Sequence, residues 1–107
     1  MLRLRTLVAM VALASTLPAY AVEEAAAMEL AKKSGCLACH TMANKLVGPA
    51  WRDIGKKYAA DANAEVALVA KVRKGSKGVW GEVPMPPNVT VKEADVRTLV
   101  QFVLTLK

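Results

Sequence analysis

The run Cys36-Leu37-Ala38-Cys39-His40 constrains this chain more than any other feature, because it holds both cysteines and the only histidine among 107 residues. Side chains three apart lie on one side of a single helical turn, so the two thiols face one surface and the imidazole follows beside them. C-x-x-C-H is the pattern of c-type haem attachment, in which the sulfurs bond the two vinyl groups and the histidine becomes the proximal iron ligand. Two other uses of paired cysteines fit worse. A thioredoxin-like pair needs a preceding strand and a βαβ surround, whereas helix-forming sequence comes first; a zinc site needs further Cys or His ligands, and carboxylates would have to supply them. Haem attachment through Cys36 and Cys39 is therefore expected, with a plain disulfide or free thiols as the alternative.

The beginning of the chain reads as a secretory signal. Arg3 and Arg5 give a basic start, an apolar run extends from Leu7 to Leu17, and Ala19-Tyr20-Ala21 supplies small residues at the cleavage positions. The expected division is a signal peptide at 1–21 and one domain at 22–107, located in the periplasm. The apolar run is too short to span a bilayer and no stop-transfer segment follows, so no membrane insertion of the mature chain is expected. Cleavage would remove Arg3 and Arg5 from fifteen basic residues and none of nine acidic ones, leaving a formal charge of +4. This scattered excess excludes a nucleic-acid footprint and suits docking to an acidic protein surface. With so few aromatic residues left, Trp51, Tyr58, Trp80 and Phe102, something other than side chains should complete the core.

Along the domain, Ala27, Leu30 and Ala31 mark an amphipathic helix over Glu23–Ser34 that Gly35 stops. Cys36–Ala50 is irregular and punctuated by Gly48-Pro49; a second helix is expected over Ala50–Tyr58. A third covers Ala62–Lys74, with Val66, Val69, Ala70 and Arg73 on adjacent faces. The glycines and prolines between Gly75 and Val89 dictate a structured loop. Thr90-x-x-Glu93 matches a capping box ahead of a last helix whose Val96, Leu99, Val100, Val103 and Leu104 follow the i, i+3, i+4, i+7, i+8 pattern. Nothing predicts a sheet.

One histidine excludes bis-histidine ligation, so a sixth ligand would be methionine, lysine, the amino terminus, water or none. Met28 lies on the first helix and Met42 is two residues past His40, too close to reach the far face of the haem; both read as core fillers. Met85, in Val83-Pro84-Met85-Pro86-Pro87, sits far enough along for the chain to wrap the haem, and its prolines stiffen the loop that would hold the sulfur. His/Met ligation raises the reduction potential and suits an electron carrier without substrate turnover. An open-site enzyme or gas sensor, with Met85 merely packing, is the competing reading.

Four segments, Gly35-Cys36-Leu37-Ala38-Cys39-His40, Val47-Gly48-Pro49-Ala50, Gly75-Ser76-Lys77-Gly78-Val79-Trp80-Gly81 and Pro84-Met85-Pro86-Pro87-Asn88, resemble in that order the small bacterial class I cytochromes c of the c-551/c-552 type. The resemblance covers essentially all of the mature chain. It implies an all-α cytochrome c fold, about four short helices wrapped around one covalently bound haem c, with first and last helices crossing. The implied function is that of a periplasmic electron shuttle, a monomer serving redox partners such as nitrite reductases, terminal oxidases or peroxidases. It further implies that Pro49 packs on the haem and accepts a hydrogen bond from His40. Trp80 would bond a propionate, or else be a core aromatic. Lys71 stands where relatives often carry an arginine, and a lysine there loses the bidentate fork. Asn88 would hydrogen-bond near the methionine sulfur, or else be a turn residue. Lys32, Lys33, Lys45, Lys74, Lys77 and Lys92 together suggest a basic rim.

Overall fold

The computed structural model describes residues 6–14 and 19–106. Arg3, Arg5 and residues 15–18 of the expected signal lie outside the described residues; residues 6–14 carry no regular structure, and Leu7, Val8, Met10, Val11 and Leu13 are exposed. Four helices follow: α1 (Ala19–Lys33), α2 (Trp51–Lys57), α3 (Ala64–Lys74) and α4 (Glu93–Thr105), with one 3-10 turn at Cys36–Ala38. Among the described residues there is no strand, only isolated bridges pairing His40 with Lys45 and Ser76 with Met85.

The last helix organises the domain, because its apolar residues form two adjoining stripes. Leu99 and Val103 join Ala31 of α1 and Trp51 of α2 in one buried cluster, while Val96 and Val100 join Val69 of α3 in another. Each of these large side chains contributes about 1.5–3 kcal/mol on burial. Among the described side chains of α1 the buried ones are Ala27 and Ala31, small residues that let the first helix approach α4 closely. Met28 and Met42 pack against the first cluster as partly buried residues.

Three local expectations need correction. The first helix begins at Ala19, a turn before Glu23, because the alanines and glutamates there favour helix and nothing breaks it. Val66 is 77% exposed; α3 instead buries Ala64 and Val69, with Leu68 and Val72 partly covered. The capping box does not form: α4 starts at Glu93 with Lys92 at the cap and no side-chain cap bond. Thr90 Oγ1 instead lies 3.5 Å from Asn88 Oδ1, which also accepts the Val91 N–H at 3.2 Å. That Asn-centred turn brings the chain into the helix, and Glu93 and Asp95 in the first turn complement its dipole.

Candidate haem site

The end of α1 sets up the motif. Gly35 adopts a left-handed backbone (φ 78°) that redirects the chain, and the 3-10 turn then closes with Cys39 N–H and His40 N–H both donating to Cys36 O, at 3.2 and 3.1 Å. Cys36 and Cys39 are half-buried and are not joined to each other as a disulfide. Burial pushes the Cys36 thiol above its ordinary range, opposed by a backbone hydrogen bond that lowers it.

The segment after the motif folds back on it. Gly48 N–H donates to Cys39 O at 2.8 Å and Trp51 N–H to Thr41 O at 2.9 Å, which brings the Pro49 carbonyl 2.8 Å from His40 Nδ1. A carbonyl only accepts, so Nδ1 carries the proton and Nε2 keeps its lone pair, the tautomer a metal ligand needs. His40 is only 8% exposed. Nε2 nevertheless has no hydrogen-bond partner among the described residues, and none of their buried side-chain polar atoms is orphaned. Nε2 therefore opens into the adjoining cleft.

That cleft, partly open to solvent, is lined by Cys36, His40, Pro49, Lys71, Trp80 and Met85 over an apolar floor from α3 and α4. A second opening shares Cys36, His40, Met85 and Asn88 with it and adds Cys39. Met85 is held by its own peptide: Met85 N–H donates to Ser76 O at 2.8 Å and Ser76 N–H to Met85 O at 3.0 Å. Asn88 N–H donates to Val72 O at 2.9 Å, tying the far end of the loop to α3. Lys71 is half-buried, and Trp80 is exposed with Lys57 Nζ 5.7 Å from its ring centroid, within cation–π range.

These residues fit a haem. The cleft's donors are two thiols, one imidazole nitrogen with a free lone pair and one thioether, and its lining cations, Lys71 and Lys77, suit anionic propionates. Among the described residues no three His, Cys, Asp or Glu gather to hold a metal ion, which leaves zinc without a site. Sequence reasoning missed Gly48, Lys57 and Ser76. Gly48 was visible only as half of a turn, and Lys57 and Ser76 act through partners distant in the chain.

An all-helical domain wrapped around a C-x-x-C-H turn and such a cleft is that of a small c-type cytochrome. The chain belongs to the cytochrome c family, whose model matches residues 24–107, and it carries a single covalently bound haem c. It is 52% identical over 79 residues to cytochrome c-552 of Nitrosomonas europaea, covering 74% of this chain and 77% of that one. To cytochrome c-551 of Allochromatium vinosum it is 52% identical over 77 residues, 72% of this chain and 82% of the relative. The crystal structure of the wild-type Nitrosomonas europaea cytochrome c552 superposes with a TM-score of 0.73 at 51% identity, over 75% of this chain and 99% of that one.

Proposed function

We propose that the protein is a periplasmic one-electron carrier whose haem iron is held between His40 Nε2 and Met85 Sδ. The observation that carries this reading is the fixed His40 tautomer: Nδ1 is spent on the Pro49 carbonyl, and Nε2 opens into the cleft that Met85 also lines. The bound haem supplies a reversible one-electron couple at its iron. The protein's part is to leave no open coordination site and to change little between oxidation states. A methionine whose N–H and C=O are both bonded to Ser76, between prolines that limit backbone freedom, loses little entropy when its sulfur binds. No substrate turnover is proposed.

Around this centre, Lys71 and the Trp80 indole N–H serve the propionates. Asn88, with Oδ1 taken by Val91 N–H, has its Nδ2 free to donate toward the Met85 sulfur. The exposed lysines Lys32, Lys33, Lys45, Lys74, Lys77 and Lys92 and the exposed apolar residues Leu46, Val47 and Val83 form the docking face for acidic redox proteins, with association rates that fall as salt rises. Residues 1–21 act as the removable export signal. Among the described residues no helix is long and apolar enough to cross a membrane.

Optical spectroscopy of the holoprotein and of Met85→Ala tests the ligation. The wild type should show a c-type spectrum with the weak far-red sulfur-to-iron band, and the variant should lose the band and bind carbon monoxide readily. A wild type without that band that binds carbon monoxide would replace the carrier with an open-site enzyme or sensor.

A further inference from the structure

We infer that Gly48 is a positioning residue that sets the plane of the His40 imidazole, and through it the electronic ground state of the iron; this rests on His40 being an iron ligand. A Cβ at residue 48 would stand 2.7 Å from His40 Cε1, 3.0 Å from Nδ1 and 3.2 Å from Nε2. Nearly equal separations from Cε1 and both nitrogens place that Cβ over the ring face at Cε1, so the bare Cα lies against the face of the imidazole there. Trp51 bounds the ring elsewhere, with centroids 6.2 Å apart and planes 30° from parallel, and the Pro49 carbonyl tethers Nδ1.

The glycine is not free to withdraw. Its N–H is bonded to Cys39 O at 2.8 Å and its carbonyl accepts the Leu46 N–H at 3.1 Å, so it is fastened to the residue that precedes the ligand. Nor is it a glycine required by a left-handed backbone, since the positive-φ glycines are Gly35, Gly75, Gly78 and Gly81. Alanine at residue 48 thus adds volume without backbone strain, and the ring must turn to accommodate it. Turning weakens the Nδ1–H···O bond to Pro49. A histidine that loses this bond donates less electron density to iron and holds the oxidised state less well, so the reduction potential rises.

Proton NMR and potentiometry of holoprotein test this with Gly48→Ala beside Gly55→Ala. The latter is an equally backbone-compatible substitution that crowds the α4 carbonyls instead of the ring. In oxidised wild type the His40 ring protons should be strongly hyperfine-shifted; unshifted ring protons would remove His40 from the iron, and this inference with it. Given that shift, Gly48→Ala should respread the four haem-methyl resonances and raise the potential, with clearly smaller changes in Gly55→Ala, which reaches the ring only through Trp51. Unchanged methyl shifts in Gly48→Ala, or equal changes in both variants, would reduce Gly48 to ordinary packing and overturn the inference. Should Gly48→Ala fail to accumulate with haem, reduced wild type decides: an Overhauser contact between a Gly48 Hα and His40 Hε1 supports the role, and its absence overturns it.

Discussion

Replacing Gly55 with alanine sets intrinsic helix preference against tertiary packing. Gly55 lies within α2, is buried and has no left-handed backbone, so propensity alone favours alanine by about 1 kcal/mol. The neighbouring helix forbids it. A Cβ there would stand 2.7 Å from the Val103 carbonyl oxygen and closer still to that of Leu106. Bringing the Val103 contact to ordinary van der Waals separation moves the helices apart by about 0.7 Å, loosening Trp51 against Leu99 and Val103 in the cluster they share. Overpacking of this kind costs about 1–3 kcal/mol, and here it acts on main chain at the last turn of a helix, which cannot rotate away as a side chain would. Net destabilisation of up to about 2 kcal/mol is expected after the propensity gain is set against it, a fall in melting temperature of up to about 15 °C for a domain this small. Guanidinium unfolding of oxidised holoprotein, followed by far-ultraviolet circular dichroism, measures it. A variant with a midpoint equal to or above wild type would refute the close approach of α2 to α4.

Other perturbations address the core, the charge and the attachment. Val96→Ala, at the most deeply buried large side chain, should lose about 2 kcal/mol in the same unfolding assay. Lys71→Ala removes a positive charge from the cleft wall and should lower the reduction potential in a potentiometric titration, because the oxidised iron then meets less repulsion; an unchanged potential would place the ammonium away from the haem. The double variant Cys36→Ala/Cys39→Ala should yield its haem to acid acetone extraction, whereas wild type retains it.

The chemistry of the site was legible in the sequence to the extent that it is local. Cys36, Cys39 and His40 are brought together by one turn, and the alternation of valine and leucine in α4 follows from helical period alone, so both could be read directly. Val66 shows the limit: it keeps helical spacing with Val69 but faces solvent, because only the placement of α4 decides which side of α3 is covered. Thr90 shows another, since a capping box requires the helix to begin just after the threonine and the Asn88 turn delays it. The neighbours of Gly48 and Gly55 were illegible for a further reason. A glycine's sequence signature is the same whether it bends the chain or merely makes room, and the difference lies entirely in what stands opposite.

The docking of α4 on α1 also governs the order of events in the making of the molecule. Leu99 and Val103 are near the last residues of the chain, yet they close the cluster that Ala31 and Trp51 begin. On the proposed export route, amino terminus first, Cys36, Cys39 and His40 would emerge well before the helix that completes their surroundings. During that interval the two cysteines would stand beside a cleft that still lacks its floor from α4. Arrival of the carboxy-terminal turns then shuts the fold over whatever has been attached, a timing written into the separation between the first and last helices.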